Sequence, residues 1–410
     1  MSTRTPGIVR LLLLAGLFMM LVQIHRAGGA VIANELAGQG FSPSQIATVV
    51  SAMFLASALF QLPTGMLFDR YGARWTMAGL GLVALVGIVL FACSESVLGL
   101  SAGRFLIGVG HGGTISGIYM LALTWVSSDR VATATGGMVA IAGGIGGVLA
   151  TVPLVLALEA LGHQRTFLGV AAATLLVTFA IGLFVRDAPE GQQSAASGRG
   201  ETLAQSVRGL WAVLAERSLW PVFAMGACFT APFAVVGGLW AGPYLVDVHG
   251  LGREQASFAV LAMVAAFHLG NLGYGPLERF LGTRKWTVVS GVISMIALLS
   301  VLAAWPGMAA AATVAVLVLY CLCTPFYPVL AAHCRAFVPL GRAGRAISVV
   351  NLAGLVTVFA LQKLTGWMVE VTRASDGTTT ALGYRLVFVT LALALLLAVA
   401  GYLRVRDAPP

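Results

Sequence analysis

Apolar residues fill this chain in twelve long runs separated by short polar breaks, and no run keeps the polar stripe of a half-buried soluble helix. Crossing the hydrocarbon of a bilayer takes about 20 consecutive apolar residues. On that scale the pattern predicts spans at about 8–34, 44–67, 75–93, 98–126, 131–158, 164–186, 218–247, 254–278, 286–304, 309–334, 343–369 and 381–404. Six precede the polar stretch 187–217 and six follow it. The polar punctuation repeats as well. Val185-Arg186-Asp187-Ala188-Pro189 closes the sixth run, and Val405-Arg406-Asp407-Ala408-Pro409 closes the twelfth. Asp69-Arg70-Tyr71-Gly72-Ala73-Arg74 returns, with one insertion, as Glu278-Arg279-Phe280-Leu281-Gly282-Thr283-Arg284-Lys285. The expectation is an all-α integral membrane protein of twelve transmembrane helices in two six-helix pseudo-repeats. Residues 1–186 form the N-terminal bundle, 187–217 a cytoplasmic linker and 218–410 the C-terminal bundle. Parallel repeats of this kind belong to transporters whose site lies near the bilayer midplane.

Composition agrees: 59% of residues are hydrophobic, 10% are charged and the mean hydropathy is +0.93, against about 45–50% and 25% in soluble domains. The net charge of +9 follows topology. Lys and Arg gather in the alternate loops that hold Arg70, Arg74, Arg130, Arg208, Arg217, Lys285, Arg335 and Arg404, while the opposite loops carry only Arg165, Arg253, Arg373 and Arg385. Basic residues stay on the cytoplasmic side, so both termini are expected there, in a bacterial inner membrane. The charge then meets anionic lipid rather than nucleic acid. Arg4 and Arg10 before Leu11 to Val22 resemble a signal peptide, but removal would leave five helices against six, so the first helix is expected to be retained. In the linker, Leu203, Val207, Leu210, Trp211 and Leu214 recur at helical spacing, which predicts a helix on the inner membrane surface. The five cysteines form no CxxC pair, and no HExxH, GxxxxGK[ST] or GxSxG motif is present. An enzyme, a nucleotide-driven pump, a cofactor and a metal are not expected, and nothing calls for more than a monomer.

Between the second and third spans, Gly65 is a small residue suited to close helix approach, and Asp69 precedes a helix whose free N–H groups it can cap. Arg70 and Arg74 are placed to reach Asp129, and Asp69 to pair with Arg130. Charge-assisted bonds of this kind would latch the cytoplasmic side in one state and release it in another. Glu278 and Arg279 stand at the equivalent place in the second copy.

These residues carry a resemblance. Gly65-Met66-Leu67-Phe68-Asp69-Arg70-Tyr71-Gly72-Ala73-Arg74 resembles the G-x-L-x-D-R-x-G-x-R signature of the major facilitator superfamily, and Gly275 to Lys285 resembles its degenerate second copy. Arg104-Phe105-Leu106-Ile107-Gly108-Val109-Gly110 is similar to the R-x-x-x-G-x-G pattern of that superfamily's fourth helix. Gly143, Gly144, Gly146, Gly147 and Pro153 form a loose relative of its glycine-rich fifth-helix motif. The resemblance covers the whole chain and implies secondary transport by alternating access. Trp75 stands where a second basic residue is common, and the fifth helix lacks the usual Gly-Pro pair, which sets the chain apart from drug antiporters.

Ionisable side chains inside a span are costly and are kept where they line a path or find a partner. Arg26, Arg104 and Lys363 lie within spans, whereas Glu35, Glu159, Asp247 and Glu278 sit at span ends. A cationic interior needs an anion, and a guanidinium fork matches a carboxylate or a phosphate. Arg26 also stands fifteen residues before Phe41-Ser42, a spacing similar to that of the first-helix arginine in the organophosphate:phosphate and anion:cation symporter branches. That resemblance implies that its side chain points into the cavity. The seventh span has no basic residue from Ala234 to Trp240, where the organophosphate branch has one, so a carboxylate is expected rather than a phosphate ester. Trp240, Tyr244, Tyr320, Tyr327 and Asn351 offer polar tips at depths where lipid bonds nothing. His25 adjoins Arg26, and His111 is seven residues from Arg104 on one helix face, so both are candidates for carrying a coupling proton. The rival readings are a proton-coupled exporter of drugs or metabolites, which needs a membrane-embedded acid, and a non-transporting receptor, which needs a signalling domain.

Overall fold

The computed structural model describes residues 5–126, 131–189, 203–338 and 340–408, and among the described residues there is no strand. Nine helices there are long and apolar enough to cross a membrane. Shorter apolar helices at Pro43–Leu59, Ala134–Leu149 and Phe233–Asp247 stand where the second, fifth and seventh spans were expected. By contact the chain forms two compact units, Met1–Gly28 with Ala52–Ser206 and Gly29–Ser51 with Val207–Pro410.

The chain opens with α1 (Thr5–Ala27), α2 (Gly29–Gly38) and α3 (Pro43–Leu59), and continues through α4 (Gln61–Cys93), α5 (Val97–His111), α6 (Thr114–Trp125), α7 (Val131–Leu149) and α8 (Val152–Phe184). In the first unit, α4 and α8 each run through a sharp turn made by one residue, Gly72 (φ 76°, ψ 177°) and Gly162 (φ 77°, ψ 171°). That backbone region is open essentially to glycine alone. Each turn is closed the same way. Thr76 Oγ1 donates to Leu67 O at 3.0 Å and Thr166 Oγ1 donates to Ala157 O at 2.9 Å, so a threonine four residues after the glycine satisfies a carbonyl five residues before it. The expected loops between spans two and three and between spans five and six are therefore single-residue hinges.

Lipid gives helices no hydrophobic reason to associate, so small residues and close backbones must supply the contact. At the crossing of α4 and α5, a Cβ on Gly87 would stand 2.7 Å from Ile107 N, and one on Gly103 would stand 2.7 Å from Phe91 N. Phe18, Val22, Phe68, Met77, Leu121 and Ile181 fill the interior of this unit. Leu82, Leu176 and Phe179 are exposed, as lipid-facing side chains should be.

The second unit contains α2 and the start of α3. It continues with α9 (Leu203–Leu214), α10 (Trp220–Ala227), the π-helix Phe233–Trp240, α11 (Ala241–Asp247), α12 (Arg253–Leu281), α13 (Arg284–Ala304), α14 (Ala310–Cys323), α15 (Tyr327–Ala336), α16 (Leu340–Val371) and α17 (Ala381–Tyr402). α2 lies backbone to backbone on the π-helix, where a Cβ on Gly29 would fall 2.1 Å from Gly238 O. Arg253 pairs with Glu35 at 3.4 Å, and Ser44 N donates to Glu370 Oε2 at 3.4 Å. These contacts place Gly29–Ser51 with the C-terminal helices. The linker forms helix α9, in which Leu210 and Val213 are buried while Val207 and Trp211 are exposed, so the apolar stripe read from the sequence divides between two faces.

The repeated Val-Arg-Asp-Ala-Pro segments do the same work in both units. Asp187 Oδ1 accepts from Arg74 N at 2.7 Å, at the start of the helix that follows Gly72. Asp407 Oδ1 accepts from Lys285 N at 3.1 Å, and its other oxygen accepts from Thr283 Oγ1, at the start of α13. Each tail thus returns a carboxylate to the free N–H groups of the third span of its own copy.

Candidate functional site

The densest buried polar group lies inside the first unit. Arg104 and His111 are two turns apart on α5, and His25 is near the end of α1; Arg104 and His25 are 0% exposed and His111 is 1% exposed. Arg104 Nη1 donates to His25 O at 3.0 Å, one turn before the chain breaks between α1 and α2 at Gly28. Its guanidinium carbon lies 5.9 Å from the Phe91 ring centroid. The rings of His25 and His111 are 5.5 Å apart between centroids, with Phe18 edge-on to His111 at 5.6 Å and Phe167 stacked on His25 at 6.3 Å. Arg104 Nε and Nη2 and all four imidazole nitrogens have no hydrogen-bond partner among the described residues. Arg26 follows His25 in the chain and is half-buried. Among the described residues no carboxylate pairs with either arginine. A buried cation without a counter-charge costs several kcal/mol, so this group has a strong demand for an acceptor.

The other expected binding residues lie in the second unit and are spread among separate partners. Lys363 Nζ donates to Thr48 Oγ1. Trp240 Nε1 donates to Thr365 Oγ1 at 2.9 Å, and Tyr320 OH donates to Pro232 O at 3.0 Å. Tyr327 stacks on Phe229 at 4.3 Å and shares a hydrogen bond with Asn351. Tyr244 packs against Tyr384 and Phe388, and its hydroxyl has no partner among the described residues. What joins several of them is the π-helix. Its extra residue per turn displaces backbone bonds, and Tyr320 and Gln362 serve the carbonyls at its start, Gln362 Nε2 donating to Ala234 O at 2.9 Å. Gln362, Thr365 and the π-helix were missed in the sequence. The available signal was the run Pro232 to Gly238, a proline and two glycines inside an apolar span.

Of the expected latch residues, Asp129 and Arg130 lie outside the described residues. Asp69 and Arg70 are exposed at the Gly72 turn, with Arg70 over the Tyr71 ring. Arg74 Nε donates to Gly182 O at 2.8 Å and the guanidinium stacks on Trp75. No heavy atom lies within 4 Å of where a Cβ on Gly65 would stand, whereas one on Gly72 would meet the Asp187 carboxylate at 2.6 Å. In the second copy Glu278 pairs with Arg284 at 2.9 Å, and Arg279 is exposed. Asp187 and Asp407 are the residues the sequence reading saw as a repeat without seeing their role.

Solved structures share this architecture. A point mutant of the nucleoside transporter NupG superimposes with a TM-score of 0.80 at 14% identity, covering 96% of this chain and 98% of that one. An inward-facing, occupied bacterial homologue of the human lysosomal transporter Spinster gives 0.73 at 17% identity, covering 97% and 96%. In sequence, the probable sulfoacetate transporter of Cupriavidus necator is 30% identical over 152 residues, 37% of this chain and 35% of that protein. The nitrate/nitrite transporter of a Picosynechococcus species is 34% identical over 97 residues, 24% and 18%. The matched region spans about a third of the first of these relatives and less of the second. The family model of the Major Facilitator Superfamily matches residues 11–361, from the first span through the buried arginines to the Lys363 helix, and with the fold already on that plan the chain belongs to this superfamily of membrane transporters.

Proposed function

We propose that this transporter moves a small organic anion, a carboxylate, across the bacterial cytoplasmic membrane by alternating access, together with a proton, with both termini on the cytoplasmic side and the two six-helix halves as the moving bodies. The observation that carries the reading is Arg104, fully buried beside two unpaired imidazoles and the half-buried Arg26, with a backbone carbonyl as its acceptor. An anion is the species that neutralises such a group, and a carboxylate fits a guanidinium fork. Two relatives are named for anions, sulfoacetate and nitrate or nitrite. Proton coupling follows from the same neighbours. Arginines disfavour a charged imidazole and a bound anion favours it, so anion and proton enter together. Within the second unit, Lys363, Trp240, Tyr244, Tyr320, Tyr327 and Asn351 are the further candidates.

Thermal unfolding of the purified protein against carboxylates, phosphate esters and cationic drugs tests the substrate class. Ligand at a hundred times its dissociation constant adds about 2.7 kcal/mol of stability. Carboxylates are expected to raise the midpoint in wild type and to lose that effect in Arg26→Ala. Stabilisation by cationic drugs alone, or an undiminished carboxylate effect in Arg26→Ala, would overturn the assignment.

A further inference from the structure

A cavity of about 330 Å³ lies in the second unit, where α2, the start of α3, α11 and the connection from α16 to α17 meet. This is near the low end of the range of small-molecule sites. Phe41, Ile46 and Trp240 give it an apolar wall, while Asp247, Arg373 and Thr378 bring polar groups to it. It shares no residue with the Arg26–Arg104 group and contains Trp240 alone of the residues assigned above to anion binding.

Its charged groups have partners within the unit. Asp247 is exposed, and its carboxylate accepts from Tyr384 OH at 2.6 Å and from Thr379; Tyr384 is itself 1% exposed and packed edge-on to Trp240, which anchors the carboxylate. Arg373 is tethered by a loose pair with Glu370 at 3.6 Å. The connection that carries it closes on itself. Ala374 N donates to Thr378 O at 3.0 Å and Thr380 Oγ1 donates to Thr372 O at 2.7 Å. Asp376 accepts from both Thr378 N and Thr378 Oγ1, and Gly377 takes the positive φ (83°) of the turn. Such preorganisation removes ordering cost from binding.

One anchored carboxylate and one guanidinium in a single small cup select against ions of either sign. A simple anion that meets Arg373 also meets Asp247, and a simple cation meets the reverse conflict. We infer that this cup binds a small zwitterion, an amino acid whose ammonium lies on Asp247 and whose carboxylate lies on Arg373, with its methylene chain against Trp240 and Phe41. The site stands apart from the organic-anion reading and shares with it Trp240 alone.

Calorimetric titration of the protein in nanodiscs with glycine, β-alanine, 4-aminobutyrate and 6-aminohexanoate, and with propionate and propylammonium as single-charge halves, tests this. One chain length is expected to bind at least about tenfold tighter than either half, and Asp247→Asn and Arg373→Gln each to weaken it by about tenfold or more. Asp247→Asn also weakens the bond from Tyr384. Tyr384→Phe removes that bond and keeps the charge, and is expected to retain binding within about threefold. The inference is overturned if no amino acid binds, if the halves bind as well as the zwitterions, or if Asp247→Asn binds like wild type. It is equally overturned if binding is lost in Arg26→Ala and kept in Asp247→Asn, since the solute then sits in the first unit.

Discussion

At position 104 a guanidinium is committed to the interior with one acceptor, and at positions 187 and 407 an aspartate is sent back to cap a helix that begins more than a hundred residues earlier. These two kinds of residue were unequally legible. A charge inside an apolar run stands out against its neighbours, so Arg26, Arg104, His111 and Lys363 could be named from sequence. The cap partners of Asp187 and Asp407 are remote in sequence, and only the repetition of their surroundings was visible. The Asp407 cap has a pH signature. Partial burial raises its carboxyl, but hydrogen bonds from Thr283 and from the backbone N–H groups of Lys285 and Ala408 outweigh this and hold it below the usual carboxylate range. A group lowered on folding contributes stability that is present above its unfolded value of about 3.9 and is lost as pH falls through the folded value. Asp407→Asn is therefore expected to lower stability at neutral pH by about 0.5–1 kcal/mol, the low end for a lost helix cap at an exposed site. Unfolding midpoints of the two proteins should converge below about pH 4. A gap that stays constant well below that pH would show that the charge of Asp407 contributes nothing.

Between residue and molecule, the telling elements are the two glycine turns and the π-helix. Asp69 to Thr76 and Glu159 to Thr166 share an acid, a glycine three residues on and a threonine four further on, and both fold into the same hinge. The first copy was legible because it carries the family signature, and the second passed unnoticed because its flanks do not. The π-helix was illegible for a different reason, since periodicity cannot separate one extra residue per turn from an ordinary helix over eight residues. The hinges make a direct prediction. Gly72→Ala forces a Cβ into a glycine-only backbone region and against the Asp187 carboxylate, and is expected to cost about 2 kcal/mol or more. Gly79→Ala, on the same helix with open space around it, is expected to be neutral or slightly stabilising. Chemical or thermal unfolding of the two variants checks this, and equal effects would contradict the hinge.

On the scale of the whole molecule, length and hydropathy placed the nine helices long enough to cross and the three shorter apolar ones among the described residues, because the bilayer fixes both. The boundary of the compact units was not legible. Gly29–Ser51 packs with the C-terminal helices through a backbone approach at Gly238 that no apolar pattern encodes. Sidedness has a native probe. Cys93 is exposed at the end of α4, while Cys228, Cys321 and Cys334 are buried and Cys323 is half-buried. With the N-terminus inside, the third span ends outside, so a membrane-impermeant maleimide should label Cys93 on intact cells, and labelling only after permeabilisation would reverse the topology. The central claim, that a cationic group in the first unit carries an organic anion with a proton, is tested most directly by uptake of a labelled carboxylate into proteoliposomes under an imposed pH gradient. The carboxylate should be one that stabilises the purified protein. Wild type should accumulate it against its concentration gradient, and Arg26→Ala and His111→Gln should not. Accumulation undiminished in both variants, or none in wild type under either direction of the gradient, would contradict the account.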